Sequence, residues 1–338
     1  MKALVWHGKN LVRPGEVDRP ECREGEAIIA VKNAGICGSD LTIYEGKHTR
    51  AKAPLIMGHE FSGVIVERKG DDRPDLKVGD RVTVEPTFYC GVCELCRSGN
   101  YHICAKKGLY GIDVDGAFAE FVRVSLKSIY KLPQGASFEE GAMVEPLAVA
   151  VRSIGLSRLM IGEFVAVLGA GPIGLLTAQV ARAAGAAKVV VVEPVEFRRK
   201  MAEGLGFPAV NAEGATLENI LKTTGGHEID IVFDAAGAAP AALLETQLVR
   251  RAGRIVLVAL YKNPVPYDLR IIAFTELQVI GVCVYTSKDF SKAVSLLEGG
   301  KIQLAPLVTH RYPVEEGVEA FQTLTKGGNA QKVLLSVS

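Results

Sequence analysis

The sequence predicts an α/β protein in two parts: a β-rich domain, then a doubly wound domain built on a parallel sheet. Three observations carry that expectation. At 338 residues the chain exceeds what one core holds comfortably, so two domains of ordinary size are expected. Residues 1–148 alternate short apolar runs with Gly, Pro and charge, the texture of strands joined by turns. From residue 149 onward, β-branched runs alternate with helical lengths, the pattern of parallel strands buried on both faces.

Taken in order, KALVW, EAIIAVKNAG, FSGVIVE, DRVTVEP and AEFVRV read as strands with little helix between them. In the second part the strand 164–168 runs into GAGPIG and an alanine-rich helix over 175–184. KVVVVEP, a helix over 197–205, EIDIVFDAAG, a helix over 243–248 and GRIVLVAL continue the alternation. LQVIGVCVY, 277–285, reads as a strand near the end of this sheet, with Cys283 as a buried small hydrophobe. The second domain is therefore placed at 149–281. Helices over 288–297 and 314–325 and the strand KVLLSV form too small a piece for a third core, so 282–338 is expected to return and complete the first domain.

A formal charge of +1 gives a polyanion no overall attraction, which favours a small-molecule partner over nucleic acid. Charge and glycine interrupt the amino terminus before a signal-length apolar stretch, and VVVV and IVLVAL fall far short of the about eighteen residues that span a bilayer. No membrane association and a cytoplasmic location are expected. In that reducing compartment, clustered cysteines read as metal ligands before disulfides.

Cys90, Cys93, Cys96 and Cys104 follow C-x2-C-x2-C-x7-C in a lobe spanning 88–105. Four thiolates close a zinc tetrahedron and leave no position for substrate, so the lobe is expected to be structural. An iron–sulfur cluster uses the same ligands, and a redox pair or disulfides fit the compartment less well. A nucleic-acid-binding ribbon needs exposed basic and aromatic residues, of which Arg97, Lys106, Lys107 and Tyr101 give a thin version.

LGAGPIG sets Gly169, Gly171 and Gly174 in GxGxxG spacing around Pro172 and Ile173, between a buried strand and a helix. Glu193 ends the next strand. That context is the dinucleotide fingerprint: a tight turn, close backbone approach and a pyrophosphate at the helix amino terminus. Glu193 is expected to accept hydrogen bonds from the adenosine ribose and to repel a 2′-phosphate, favouring NAD over NADP. Arg198 and Arg199 either pair with a phosphate or lie on an exposed helix face. The turn Ala235–Gly237 ends another strand at the edge where a nicotinamide could lie.

Catalysis must then come from elsewhere. GICGSDL supplies Cys37, Ser39 and Asp40, GHEFSG supplies His59 and Glu60, and EPLAVA supplies Glu145, a carboxylate in an apolar run that is costly to bury unless paired or facing a metal. Spacing alone cannot bring these three segments together.

The order GICGSDL, GHEFSG, four-cysteine lobe, GAFAEF, EPLAVA, GAGPIG resembles the zinc-dependent medium-chain dehydrogenase/reductase family, in its polyol (sorbitol-like) dehydrogenase branch, over essentially the whole chain. The resemblance implies a GroES-like β-rich catalytic domain interrupted by a Rossmann domain, NAD as cofactor, and two zinc ions per subunit, one catalytic and one structural in the cysteine lobe. By the same resemblance, Cys37 and His59 are catalytic-zinc ligands, and Glu60 and Glu145 both stand as candidates for the carboxylate ligand, exchanging during turnover. Asp40 would orient His59, and Ser39 would relay the alcohol proton. Many members carry a histidine three residues beyond the relay hydroxyl. Here that position is Thr42, which leaves proton exit to water, Thr42 or His48.

The implied reaction is oxidation of a secondary alcohol of a polyol or vicinal diol to a ketone, with hydride transfer to nicotinamide C4. A threonine-type hydroxy amino acid stands second. A phosphorylated or acidic sugar alcohol, anchored by Lys47, Arg50 and Lys52, stands third, and a nucleotide-binding protein without catalysis is the non-enzymatic alternative. Tyr44, Glu45, Phe118 and Tyr285 are candidate pocket residues, each equally readable as a core aromatic or a surface group. In the family the strand matching 277–285 pairs across a dimer, so a homodimer or homotetramer is expected.

Overall fold

A computed structural model of the chain describes residues 1–214, 216–327 and 329–337. It divides into two units. The first comprises Met1–Glu145, Thr286–Gly299 and the chain from Leu304 on; the second comprises Pro146–Tyr285 and Gly300–Gln303. The expected boundary at 148/149 falls inside a continuous helix, Val144–Ser157. The strand expected over 277–285 extends only over Gln278–Gly281. Val284 takes φ +52°, a left-handed conformation hostile to a β-branched residue in a ladder, and Cys283 is exposed rather than buried.

In the first unit a seven-stranded sheet runs Ile129–Lys131, Arg81–Val84, Glu60–Arg68, Glu26–Gly35, Lys332–Ser336, Val308–Pro313, with Phe121–Ser125 also paired to Glu26–Gly35. Glu26–Gly35 is its hub. Ala27, Ile28, Ile29, Val31 and Ala34 are buried along it, which follows from a strand covered on both faces. The carboxyl-terminal strand lies antiparallel beside this hub, with Leu334 opposite Gly35; on the hub's other side Glu60 is opposite the same glycine.

Phe118 is fully buried and meets Phe321 edge-on at 6.2 Å, while a Cβ on Gly58 would lie 2.4 Å from the Phe118 ring. It is a core residue, not a pocket lining. Tyr285 is fully buried as well.

The second unit holds six parallel strands in the order Ala209–Val210, Lys188–Val192, Phe164–Leu168, Ile229–Asp234, Val249–Leu257, Gln278–Gly281. Strand order reverses between Phe164–Leu168 and Ile229–Asp234, and in such sheets ligands bind at the carboxyl ends beside that switch point. Val189 to Val192 are all buried, as the unbroken valine run predicts. Two helices start earlier than their apolar patterns suggest, at Pro172 and Ala239, because proline near the first turn forfeits no helical hydrogen bond. Among the described residues no helix is long and apolar enough to cross a membrane.

Candidate functional site

Cys37 caps the short helix Gly38–Tyr44, and Asp40, in its first turn, accepts from the Cys37 amide at 2.8 Å. This cap turns the segment so that Cys37, Ser39 and Asp40 face the buried start of the strand Glu60–Arg68. There the ligand atoms of Cys37, His59 and Glu60 lie within 4.8 Å of one another. Asp40 is fully buried, and its Oδ1 stands 3.6 Å from His59 Nδ1, both atoms lacking a hydrogen-bond partner. The other ring nitrogen, Nε2, lies 3.2 Å from Ser39 Oγ. A carboxylate behind one imidazole nitrogen and a thiolate near the ring is the arrangement that fixes a metal-binding histidine.

Electrostatics agree with a cation site. Burial acts to lower the His59 pKa, yet the charges of Asp40 and Cys37 hold it well above the ordinary imidazole value. A divalent cation satisfies that demand directly, and the thiolate, imidazole and carboxylate donors suit zinc.

Sequence spacing gave no hint of the partner that Glu60 has. Lys332, itself buried, donates to Glu60 Oε1 at 2.9 Å and Oε2 at 2.6 Å. The contact crosses the hub strand at Gly35, where an added Cβ would sit 2.2 Å from Glu60 Oε2. Burial works against the Lys332 charge, but Glu60, Cys37 and Glu145 together raise its pKa above the usual lysine value. Glu145 is thus near enough to be felt, though outside the trio of converging ligand atoms. The missed signal was a lysine in an otherwise apolar closing strand, the same anomaly that marked Glu145.

The proton-exit candidates sort themselves by hydrogen bonding. Thr42 donates to the Gly38 carbonyl at 3.1 Å. His48 Nδ1 accepts from the amides of Arg50 and Ala51 at 3.3 and 3.2 Å, which places the neutral ring's proton on Nε2. Burial and the Arg50 charge lower its pKa. His48 is therefore poorly set up as a base.

Of the expected basic anchor, Lys47 pairs with Glu45 at 2.7 Å, Arg50 lies 3.4 Å from Asp113, and Lys52 is exposed. Tyr44 packs on Phe321 at 5.1 Å.

In the lobe, Cys90–Cys96 and Cys93–Cys104 sulfurs are 3.8 Å apart and Cys104–Cys90 3.6 Å, and none is bonded to another. Disulfides require about 2.05 Å. A tetrahedron with metal–sulfur bonds of about 2.3 Å has edges of about 3.8 Å, so the four sulfurs fit a closed zinc shell. The amides of Val92 and Cys93 lower the Cys90 thiol to about 6, whereas burial pushes Cys96 up to about 12. A bound dication would displace the remaining protons. Tyr101, which a nucleic-acid surface would need free, stacks on Tyr89 at 4.4 Å and accepts from the Ser287 amide at 2.6 Å.

In the second unit Gly169 takes φ +91°, and a Cβ on Gly174 would lie 1.9 Å from the Gly169 carbonyl oxygen, so both are fixed as glycine by the turn. Gly171 instead caps the helix Pro172–Ala183 with open space where a Cβ would be, room for a pyrophosphate to approach the first amides. Ile173 is half-buried in the first turn. Glu193 is buried and accepts from the amides of Ala170 at 2.7 Å and Val195 at 2.9 Å, locking the glycine turn to the end of the next strand. Each carboxylate oxygen keeps a lone pair for a ribose hydroxyl.

Arg199 is committed to the carbonyls of Glu193 and Pro194. Arg198 Nε is buried without a hydrogen-bond partner, which leaves it as the cation available to an adenosine moiety. The Ala235–Gly237 turn abuts the fingerprint, with Ala236 N 3.0 Å from where a Gly169 Cβ would be, and Asp234 Oδ1 accepts from Ala236 and Gly237.

Comparison with known proteins places this geometry. Residues 23–134 match the family profile of the alcohol dehydrogenase GroES-like domain, and 172–299 that of zinc-binding dehydrogenase. The chain is 38% identical to 2-dehydro-3-deoxy-L-galactonate 5-dehydrogenase of Pseudoalteromonas atlantica, covering 92% of this chain and 91% of that one. It is 37% identical to L-threonine 3-dehydrogenase of Pyrococcus horikoshii, covering 99% and 97%. Among solved structures, 2R,3R-butanediol dehydrogenase from Bacillus subtilis superposes with a TM-score of 0.91 at 33% identity, covering 99% of both chains. With both profiles matched in series and the likeness running nearly end to end, the chain belongs to the zinc-dependent medium-chain dehydrogenase family.

Proposed function

We propose that the protein is an NAD-dependent dehydrogenase that oxidises a secondary alcohol of a polyol or vicinal diol to a ketone, with hydride passing to nicotinamide C4. The observation that carries this is the buried convergence of Cys37, His59 and Glu60 beside the Ser39 hydroxyl. Cys37 Sγ and His59 Nε2 would hold a catalytic zinc, with Glu60 and Glu145 as the carboxylates available to it. Bound there, the metal supplies Lewis acidity that lowers the pKa of an alcohol hydroxyl.

Asp40 faces His59 Nδ1 at 3.6 Å, which leaves Nε2 toward the site. Ser39 Oγ takes the hydroxyl proton and passes its own outward. With Thr42 turned to Gly38 and His48 Nδ1 covered by amides, water is the remaining carrier.

Glu193 supports NAD over NADP through its carboxylate at the adenosine end. The cysteine lobe would carry a second, structural zinc. The named substrates of the three relatives are a threonine, a butanediol and a sugar acid oxidised at C5, each oxidised at a carbon with a polar neighbour. That shared chemistry supports a vicinal polar group beside the reacting carbon. We read the working form as a cytoplasmic homodimer or homotetramer, supported by the apolar face around Leu269–Thr275.

The test is reduction of NAD, followed by absorbance, over free polyols, vicinal diols, threonine, sugar acids and sugar phosphates, with NADP in parallel. Turnover with diols or polyols and NAD is expected. Exclusive turnover of a phosphorylated or acidic sugar, or equal rates with NADP, would replace the corresponding part of this reading.

A further inference from the structure

Lys332 opens the strand Lys332–Ser336 with its ammonium buried among Glu60, the Ile36 carbonyl at 3.4 Å, and the nearby charges of Cys37 and Glu145. Side-chain exposure is 4% for Lys332 and 1% for Glu60, so solvent screens this pair little. An ammonium buried so deeply persists only when it is paired, and here the pairing uses both oxygens of one carboxylate, at 2.9 and 2.6 Å. Strand register brings the two side chains within reach of each other. Glu60 and Leu334 oppose Gly35 from its two sides, Lys332 shares the Leu334 face two residues away, and the absent Cβ of Gly35 opens the passage between them.

A carboxylate whose two oxygens both accept from an ammonium is a weaker donor to a second cation, and it must leave that ammonium to donate fully. We infer that Lys332 is a positioning residue that keeps Glu60 a withdrawn, exchangeable ligand of the metal at Cys37 and His59, so that a coordination position stays open to substrate. This rests on the proposed role of Cys37 and His59 as metal ligands. It assigns to the closing strand of the chain a part in metal chemistry that no motif marked.

The experiment measures metal rather than turnover. Elemental analysis first gives the zinc content of the full-length protein; two ions per chain are expected, and one alone would overturn both the catalytic-metal reading and this inference. Zinc transfer to a chromophoric chelator is then followed, with the visible spectrum of the cobalt(II) form. Lys332→Met should release Glu60 to the metal, slowing transfer of the faster ion by about tenfold and changing the cobalt bands as coordination number rises. Lys332→Arg should restore both. Two zinc ions with faster or unchanged transfer and unchanged cobalt bands in Lys332→Met would overturn the inference while leaving the catalytic-metal reading in place.

Should Lys332→Met fail to fold, Glu60→Gln decides, because its amide oxygen still accepts from Lys332. Unchanged zinc retention is expected of a withdrawn ligand. Release about tenfold faster would mark Glu60 as a permanent ligand and overturn the inference.

Discussion

Ser39 and His59 show how much one contact decides. The hydroxyl lies 3.2 Å from the imidazole nitrogen that faces the site, close enough to meet a substrate oxygen held there. In the proposed reaction Ser39 is the proton acceptor, and Ser39→Ala removes it without touching the cap, which Asp40 makes, so kcat should fall by about 10²–10⁴ with NAD affinity unchanged. Steady-state kinetics and cofactor fluorescence check it. Gly35→Ala acts differently, by driving a methyl group to 2.2 Å from Glu60 Oε2 and splitting a buried ion pair. Breaking such a pair costs about 3–5 kcal/mol, and urea unfolding should show a loss of that order.

Residue chemistry was legible where type and spacing coincide, as at the four lobe cysteines. Lys332 was not, because its partner is remote in sequence and only sheet register brings them together. Sequence left Phe118 and Tyr285 open between pocket and core, because an aromatic side chain looks alike in both until burial is known; both are fully buried.

Among elements, the loop that follows Val249–Leu257 is held by a buried polar cluster that plays no part in the proposed chemistry. Tyr261 donates to Asp234 at 2.5 Å and to Glu245 at 3.1 Å, and Tyr267 donates to Glu245 at 2.6 Å. Burial, then the Asp234 charge, raise Glu245 from 4.5 to about 7 against the pull of both tyrosines. A carboxyl whose folded pKa is raised contributes stability that is complete below its unfolded value and lost as pH rises through the folded one. The second unit should therefore lose a few degrees of melting temperature as pH rises from about 4.5 to about 8 at constant ionic strength. Glu245→Gln, which cannot ionise, should flatten that slope, and differential scanning calorimetry across the range would expose an unchanged slope.

Such a cluster was invisible in sequence, since Asp234, Glu245, Tyr261 and Tyr267 sit on three separate segments. The strand and helix alternation of the same unit was plain, because its three central strands, Phe164–Leu168, Lys188–Val192 and Ile229–Asp234, are nearly continuous buried runs. Where one apolar run outlasted its strand, at 277–285, the ladder stops at Gly281, and the positive φ of Val284 keeps the remaining residues from extending it.

At the scale of the whole molecule, the question is what the single chain leaves uncovered. Helix Leu269–Thr275, LRIIAFT, buries none of its residues, and Leu269, Phe274 and the nearby Leu260 are 71%, 83% and 90% exposed. It leads into Gln278–Gly281, the last strand of the six-stranded sheet, paired on one side only among the described residues. An apolar helix that runs into an open strand edge leaves surface that water disfavours and that the proposed second copy would cover. Since Phe274 contributes almost nothing to the core of its own chain, Phe274→Asp should leave the melting profile of dilute protein nearly intact. Burying a phenylalanine at an interface is worth about 1.5–3 kcal/mol, so in the proposed homo-oligomer the same change should weaken self-association by about ten- to a hundredfold. Sedimentation velocity over a concentration series reads the shift directly. A variant that sediments like the wild type at every concentration would place the contact elsewhere, the cysteine lobe with its exposed Val92 being the next surface to substitute.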